Sequence, residues 1–189
     1  MSVNWTNVKE ALCEVCKDGF ALKQAPDHVK NNRKVVLAAV KQNGWVIDYA
    51  SAELQNDRDI VLLAAVNGNT RVLKYAPDHL KNDRAIVVAA VKQNGWALED
   101  ASAELQNDRD IVLAAVKRNG CALGFASDEL KKDRAILLAA VKQNGYALLY
   151  ASDDLKNDRE IVLAAVKQQG DALSYASDDL KKDREFVLE

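Results

Sequence analysis

The sequence predicts an all-α fold, an α-solenoid of about seven 25-residue two-helix repeats. Three observations predict it. Arginine recurs at Arg33, Arg58, Arg84, Arg109, Arg134, Arg159 and Arg184, at intervals of 25, 26, 25, 25, 25 and 25 residues, and a fixed period of this size marks a repeat architecture. Each arginine opens an apolar run such as Ile111-Val112-Leu113-Ala114-Ala115-Val116. Its central alanine pair favours helix over strand. Most runs then stop at glycine, at Gly44, Gly95, Gly120, Gly145 and Gly170, the residue that tolerates the left-handed turn closing a helix. One such unit is too small to bury its own apolar face, so stacked units share a core.

The elements follow in chain order. An N-terminal unit spans residues 1–31, repeats start near 33, 58, 84, 109, 134 and 159, and a partial unit occupies 183–189. No shift in composition interrupts the series, so 1–189 reads as a single helical-repeat domain without a linker. In the first unit Glu10 and Glu14 stand where later units carry Val or Ile and Ala, charge suited to a terminal repeat. The partial last unit, with Phe186-Val187-Leu188, reads as a short cap or as an apolar edge that joins another chain.

Within a unit, an aspartate such as Asp108, Asp133 or Asp158 can cap the free amides of a helix start. Lys92 and Lys142 sit in the last turn, where the dipole favours a cation. The helix between them is about three turns long. Its apolar run covers nearly the whole circumference, which predicts neighbours on most sides. A second piece follows, with Leu148, Ala151 and Leu155 on one stripe. It breaks at Ser51, Ser102, Ser127, Ser152 and Ser177, or at Pro26 and Pro77. Serine caps a helix start and proline fits the first turn, so a further turn carries Leu54, Leu105 or Leu155 inward. The third unit is irregular: Arg58 to Tyr75 is 17 residues where Arg33 to Tyr49 is 16. Its helix is predicted to end early, near Gly68, with Asn69-Thr70 in a widened loop.

The unit Asp-Arg-x-Ile/Val-Val-Leu-Ala-Ala-Val-Lys-Gln-Asn-Gly-x-Ala-Leu-x-Tyr-Ala-Ser-x-x-Leu, best seen at residues 108–130 and 133–155, resembles a family of short tandem helical repeats whose function is unknown. The resemblance runs over about residues 8 to 188 and weakens in the first unit and around 62–71. It implies an all-helical repeat fold and brings no activity, substrate, cofactor or catalytic residue.

Charge narrows the function classes. With 26 basic and 28 acidic residues the net charge is −2, which disfavours a generic binder of nucleic acid or anionic membrane. The longest apolar run, Ile60 to Val66, is far shorter than a membrane helix needs. Residues Met1 to Trp5 show no signal-peptide pattern, and three cysteines fit a reducing compartment, so the cytoplasm or another reducing intracellular compartment is expected. Cys13 and Cys16 form a CxxC, but in register they fall at the middle and end of a helix, without the second pair a zinc site needs. His28 and His79 lie two units apart and cannot share a metal. Neither a nucleophile triad nor a glycine-rich phosphate loop can be assembled. Asp153-Asp154 and Asp178-Asp179 are explained as caps. The expectation is no catalytic, metal or cofactor site, and no enzyme.

Each repeated arginine, Arg33 through Arg184, is expected to pair with carboxylates, since a cation in the first turn opposes the helix dipole. The leading functional reading is a non-catalytic scaffold that binds a protein partner on a variable ridge. A self-assembling protein joined through its terminal units, or less readily an RNA-binding helical repeat, are the alternatives. Counted from each glycine, positions +1, +5 and +9 vary while +3 and +6 stay Leu/Ile and Ala. On α-helical geometry the variable positions share one side. The candidate partner-binding residues are Trp45, Tyr49, Arg71, Tyr75, Trp96, Asp100, Phe125, Tyr146, Tyr150 and Tyr175. The competing reading is that these rings only pack between neighbouring units. Burial of Trp45, Trp96 and Tyr146 discriminates the two.

Overall fold

The computed structural model describes residues 5–183 and Glu185. Arg184 and Phe186 to Leu188 lie outside the described residues. The chain forms two compact units, 1–93 and 94–189. The division falls between the Arg84–Gln93 helix and the Gly95–Asp100 segment, inside a repeat and not at a linker.

The fold is all-α, with no strand among the described residues. The first unit is built on the long helices Val8–Lys17, Arg33–Gln42, Arg58–Val66 and Arg84–Gln93. The second is built on Arg109–Arg118, Arg134–Gln143 and Arg159–Gln168. Consecutive long helices of a unit pack side by side. Each is started by an Asn or Asp whose side-chain oxygen accepts backbone N–H groups, one at Asn7 and two at the later caps, as Asp158 does from Glu160 and Ile161 at 3.0 and 3.1 Å. That satisfies two of the donors a helix start leaves orphaned. The faces turned to the neighbours are fully buried: Ile136, Leu137, Ala140 and Val141 have no exposure at all. Coverage is less complete than the apolar run implies. Leu113 and Ala114, and their counterparts Leu138 and Ala139, remain half-buried, because a helix between two neighbours still has one open side.

After each regular long helix comes a six-residue 3₁₀ segment, such as Gly44–Tyr49 or Gly145–Tyr150, and then a one-turn helix. The 3₁₀ turn buries positions +2 and +3, as Ala147 and Leu148 show. The one-turn helix buries Leu54, Leu105 or Leu180. Ser51, Ser102, Ser127 and Ser177 cap it by accepting the N–H three residues on. Pro26 and Pro77 occupy that same cap position, one residue before the helical turn rather than inside it.

The glycines are there for a different reason from the one the sequence suggests. Among the described residues only Gly68 has positive φ, at 90°. Gly44, Gly95, Gly120 and Gly145 are instead sites of close approach. A Cβ on Gly145 would collide with the Ala165 carbonyl of the next long helix, and one on Gly44 with that of Ala64. The approach lets the glycine N–H donate across the repeat boundary, from Gly95 to Asn119 Oδ1 at 2.9 Å and from Gly120 and Gly145 to the Gln143 and Gln169 side chains. The Gln-Asn-Gly stretch is therefore an inter-repeat tie.

The third repeat departs where the sequence places its extra residue. Its helix ends at Val66, Gly68 takes the left-handed conformation, and Asn69 N–H reaches back to the Ala64 carbonyl at 3.0 Å while Gly68 N–H reaches Ala65 at 3.4 Å. This is a Schellman closure. The residues that follow, 70–75, form turns in place of the 3₁₀ segment.

Candidate binding site

The repeated arginines are absorbed by the fold. In the first unit Arg33 Nε donates to Asp57 Oδ2 at 2.8 Å, and Arg58 Nε to Asp83 Oδ2 at 2.5 Å. In the second, Arg109, Arg134 and Arg159 reach Asp133, Asp158 and Asp183 at 2.9, 2.8 and 2.5 Å. At Asp57, Asp83, Asp133 and Asp158 the partner is the cap of the following long helix. One carboxylate thus holds its own helix start with Oδ1 and takes the shorter arginine bond on Oδ2, the guanidinium also reaching Oδ1 at Asp57, Asp83 and Asp158. Hydrogen bonds from Arg33 and Arg134 hold the carboxyls of Asp57 and Asp158 below the usual carboxylate range. At Asp133 burial pushes upward, but the Ile136 N–H, Arg109 and the Ala135 N–H together outweigh it. Arg33 and Arg134 also reach Asp59 and Glu160. Within each unit these arginines sit beside carboxylates rather than forming a row of uncompensated positive charge. Arg84 opens the last long helix of the first unit.

The candidate partner-binding residues distribute differently from the predicted ridge. A 3₁₀ turn has three residues, so positions +1 and +5 are about 120° apart rather than on one side. The rings meet across repeat boundaries instead. Phe20 packs edge-on against Tyr49 at 6.4 Å between centroids, Trp96 against Phe125 at 5.6 Å, and Tyr146 against Tyr175 at 6.3 Å. In each pair position +1 of one repeat meets position +5 of the next. Burial is partial. Trp96 and Tyr146 keep 41% and 39% of their surface exposed, while Trp45, Tyr49, Asp100, Phe125, Tyr150 and Tyr175 are half-buried. The rings therefore pack between repeats and still present one edge to solvent.

The junction between the second and third repeats lacks these ties. Tyr75 stands at the +5 position that would receive Trp45, yet it is 78% exposed, and Arg71 takes the place of the third repeat's own +1 ring. At several other junctions, though not at Ser152, the break serine bridges to the preceding repeat: Ser51 Oγ donates to Asn31 Oδ1, Ser127 Oγ to Asn107 Oδ1 and Ser177 Oγ to Asn157 Oδ1, each at 2.6 Å. Pro77 has no hydroxyl to make that bridge to Asn56. The result is a cleft of about 210 Å³ lined by Asp48, Gln55, Asn56, Asn69, Arg71 and Tyr75, among others. Its walls are braced. Gln55 Nε2 donates to the carbonyls of Asp48 and Ala50 at 3.1 and 3.0 Å. The buried Asn69 donates to the Gly44 carbonyl at 3.3 Å and accepts the Arg71 N–H at 3.0 Å. Asp48 is exposed, but partial desolvation pushes its carboxyl above its ordinary pKa.

Sequence reasoning found Arg71 and Tyr75 but missed Asp48 and Asn56. The available signal was the coincidence, at one junction, of an inserted residue, Arg71 in place of a ring and Pro77 in place of serine. The remaining singled-out residues are unremarkable in place. Cys13 and Cys16 are exposed on the Val8–Lys17 helix, His28 and His79 are exposed, and burial pushes the half-buried Cys121 thiol upward. Among the described residues no helix is long and apolar enough to cross a membrane.

A family model described as a domain of unknown function, DUF4116, matches residues 8–55, 33–65, 57–106, 108–156, 133–181 and 158–189. No curated protein and no solved structure matches the chain.

Proposed function

This chain belongs to the DUF4116 family, and we propose that it acts as a non-catalytic scaffold that captures a protein partner on the ring edges and charged positions of its 3₁₀ segments. The observation that supports this reading is the division of labour within each repeat. In the regular inner repeats positions +2, +3 and +6 are buried and nearly constant, while +1 and +5 change from repeat to repeat and keep partly exposed aromatic surface, as Trp96 and Tyr146 do. Large, stiff aromatic side chains that are already packed on one edge lose little entropy on binding and suit the centre of an interface.

The test is capture from cell extract with the purified chain as bait, compared with the double variant Trp96→Ala with Tyr146→Ala. A partner retained by the parent chain and lost by the double variant, which melts lower because both rings pack between repeats but is still fully folded at the assay temperature, is the expected result. A partner set that survives both substitutions would place binding elsewhere. Sedimentation across concentration checks self-association in the same preparation.

A further inference from the structure

We infer that the cleft between the second and third repeats binds a small zwitterionic group, its cation received by Asp48 and its carboxylate by Arg71. The argument begins with what the rest of the same unit does with such charges. Arg33 and Arg58 each close an ion pair with an aspartate of the following repeat, at 2.8 and 2.5 Å. Asp48 and Arg71 line one cleft of about 210 Å³, yet among the described residues neither side chain has an ion-pair or hydrogen-bond partner. Opposite charges that share a cleft without closing on each other leave room for a group that carries both.

The walls favour this ligand over a simple ion. Gln55 fixes the backbone of the Asp48 side, and Asn69 fixes that of the Arg71 side. The two backbones are therefore set before anything binds, while the exposed Asp48 and Arg71 side chains order on the ligand. The Asn56 amide, without a partner among the described residues, supplies a neutral donor and acceptor in the same cleft. Tyr75 offers an exposed ring at the mouth; the Lys74 ammonium already lies over it at 5.8 Å, so its part is to cover the ligand's carbon skeleton. The volume lies below that of a drug-sized pocket, roughly 300 Å³ or more. It fits one amino acid or the equivalent stretch of a peptide. Arginine recognises a carboxylate in a two-pronged fashion, and an aspartate receives an ammonium.

Free amino acids and peptide segments share this chemistry, and the experiment separates them. Amide shifts of the whole chain are followed by ¹H–¹⁵N NMR during titration with glycine and, separately, with the end-blocked tripeptide Lys-Gly-Glu. The end-blocked tripeptide Gly-Gly-Gly is the uncharged control. Saturable shifts of the residue 48, 71 and 75 amides are expected with at least one charged probe, with Kd on the order of a millimolar and no response to the control. Asp48→Asn and Arg71→Gln should each weaken that binding about tenfold, with spectra otherwise unchanged. Saturation by glycine alone indicates a free amino acid, and saturation by the tripeptide alone indicates a partner segment. Silence of both charged probes at these amides, or wild-type titration of both variants, would overturn the inference. The scaffold reading is tested at Trp96 and Tyr146 and stands or falls independently.

Discussion

The second–third repeat junction and the fifth–sixth repeat junction contain the same kind of backbone and end differently. At the regular junction Tyr150 lies against Gly124 so closely that a Cβ there would come within 2.8 Å of the ring. At the irregular junction the residue equivalent to Gly124 is Asp48, and the residue equivalent to Tyr150 is the exposed Tyr75. One junction is filled by an aromatic ring. The other carries a charge where the ring would sit and is left as a cleft. The same contrast holds for glycine: Gly145 is required by close approach to the next helix, Gly68 by its positive φ with nothing within 4 Å. A repeat array thus makes a local site by relaxing ties, without leaving its architecture.

The comparison can be broken first at the glycines. Gly145→Ala drives a methyl into the Ala165 carbonyl, and overpacking of this kind costs about 3 kcal/mol. Gly68→Ala meets no atom and carries only the left-handed backbone cost, about 1 kcal/mol. Urea denaturation should rank the two in that order. Equal losses would mean that the neighbouring helix shifts freely away from Gly145.

The rings come next. Tyr150→Ala removes packing on Gly124 and should lower stability by about 1–2 kcal/mol. Tyr75→Ala should stay within about 0.5 kcal/mol of the parent, as exposed substitutions do. A loss at Tyr75 comparable with that at Tyr150 would show that the cleft closes in solution.

The ladder is a smaller effect. Asp158→Ala removes two cap hydrogen bonds and the Arg134 pair and should cost about 1 kcal/mol. Asp158→Asn keeps an acceptor for the cap and should cost less. Because folding depresses the carboxyls of Asp57 and Asp158, their contribution is complete above the unfolded value, about 3.9. It is lost as pH falls through the folded value. Thermal melts should therefore drop steeply below about pH 4, and less steeply in the Asp158→Asn chain.

The smallest effect has the opposite sign. Folding raises the Asp48 pKa through burial, so its ionised form weakens the native state above that pKa and the penalty fades as pH falls. Asp48→Asn should raise the melting temperature slightly at neutral pH and not at low pH. A lower melting temperature at neutral pH would mean that the carboxylate has a stabilising partner.

How far the sequence reaches can be read from particular residues. The period of the arginines, the aspartate caps and the alanine-centred runs determined the helical repeat, because caps and helix propensity act over a few residues and leave local marks. The early end of the third helix at Val66, near Gly68, was likewise legible, since an inserted residue must break the register. The ion pairs were legible in kind, because a first-turn arginine needs compensation. What the sequence did not determine was every contact that joins one repeat to the next. Only the tertiary structure decided that Gly145 serves close packing rather than a left-handed turn, that Trp96 meets Phe125 instead of sharing a ridge with Asp100, and that Asp48 and Arg71 face one cleft unpaired. The physical reason is common to all three. A six-residue apolar-polar stretch has no local signal that separates a 3₁₀ turn from an α turn, and that choice rotates each side chain toward a different neighbour.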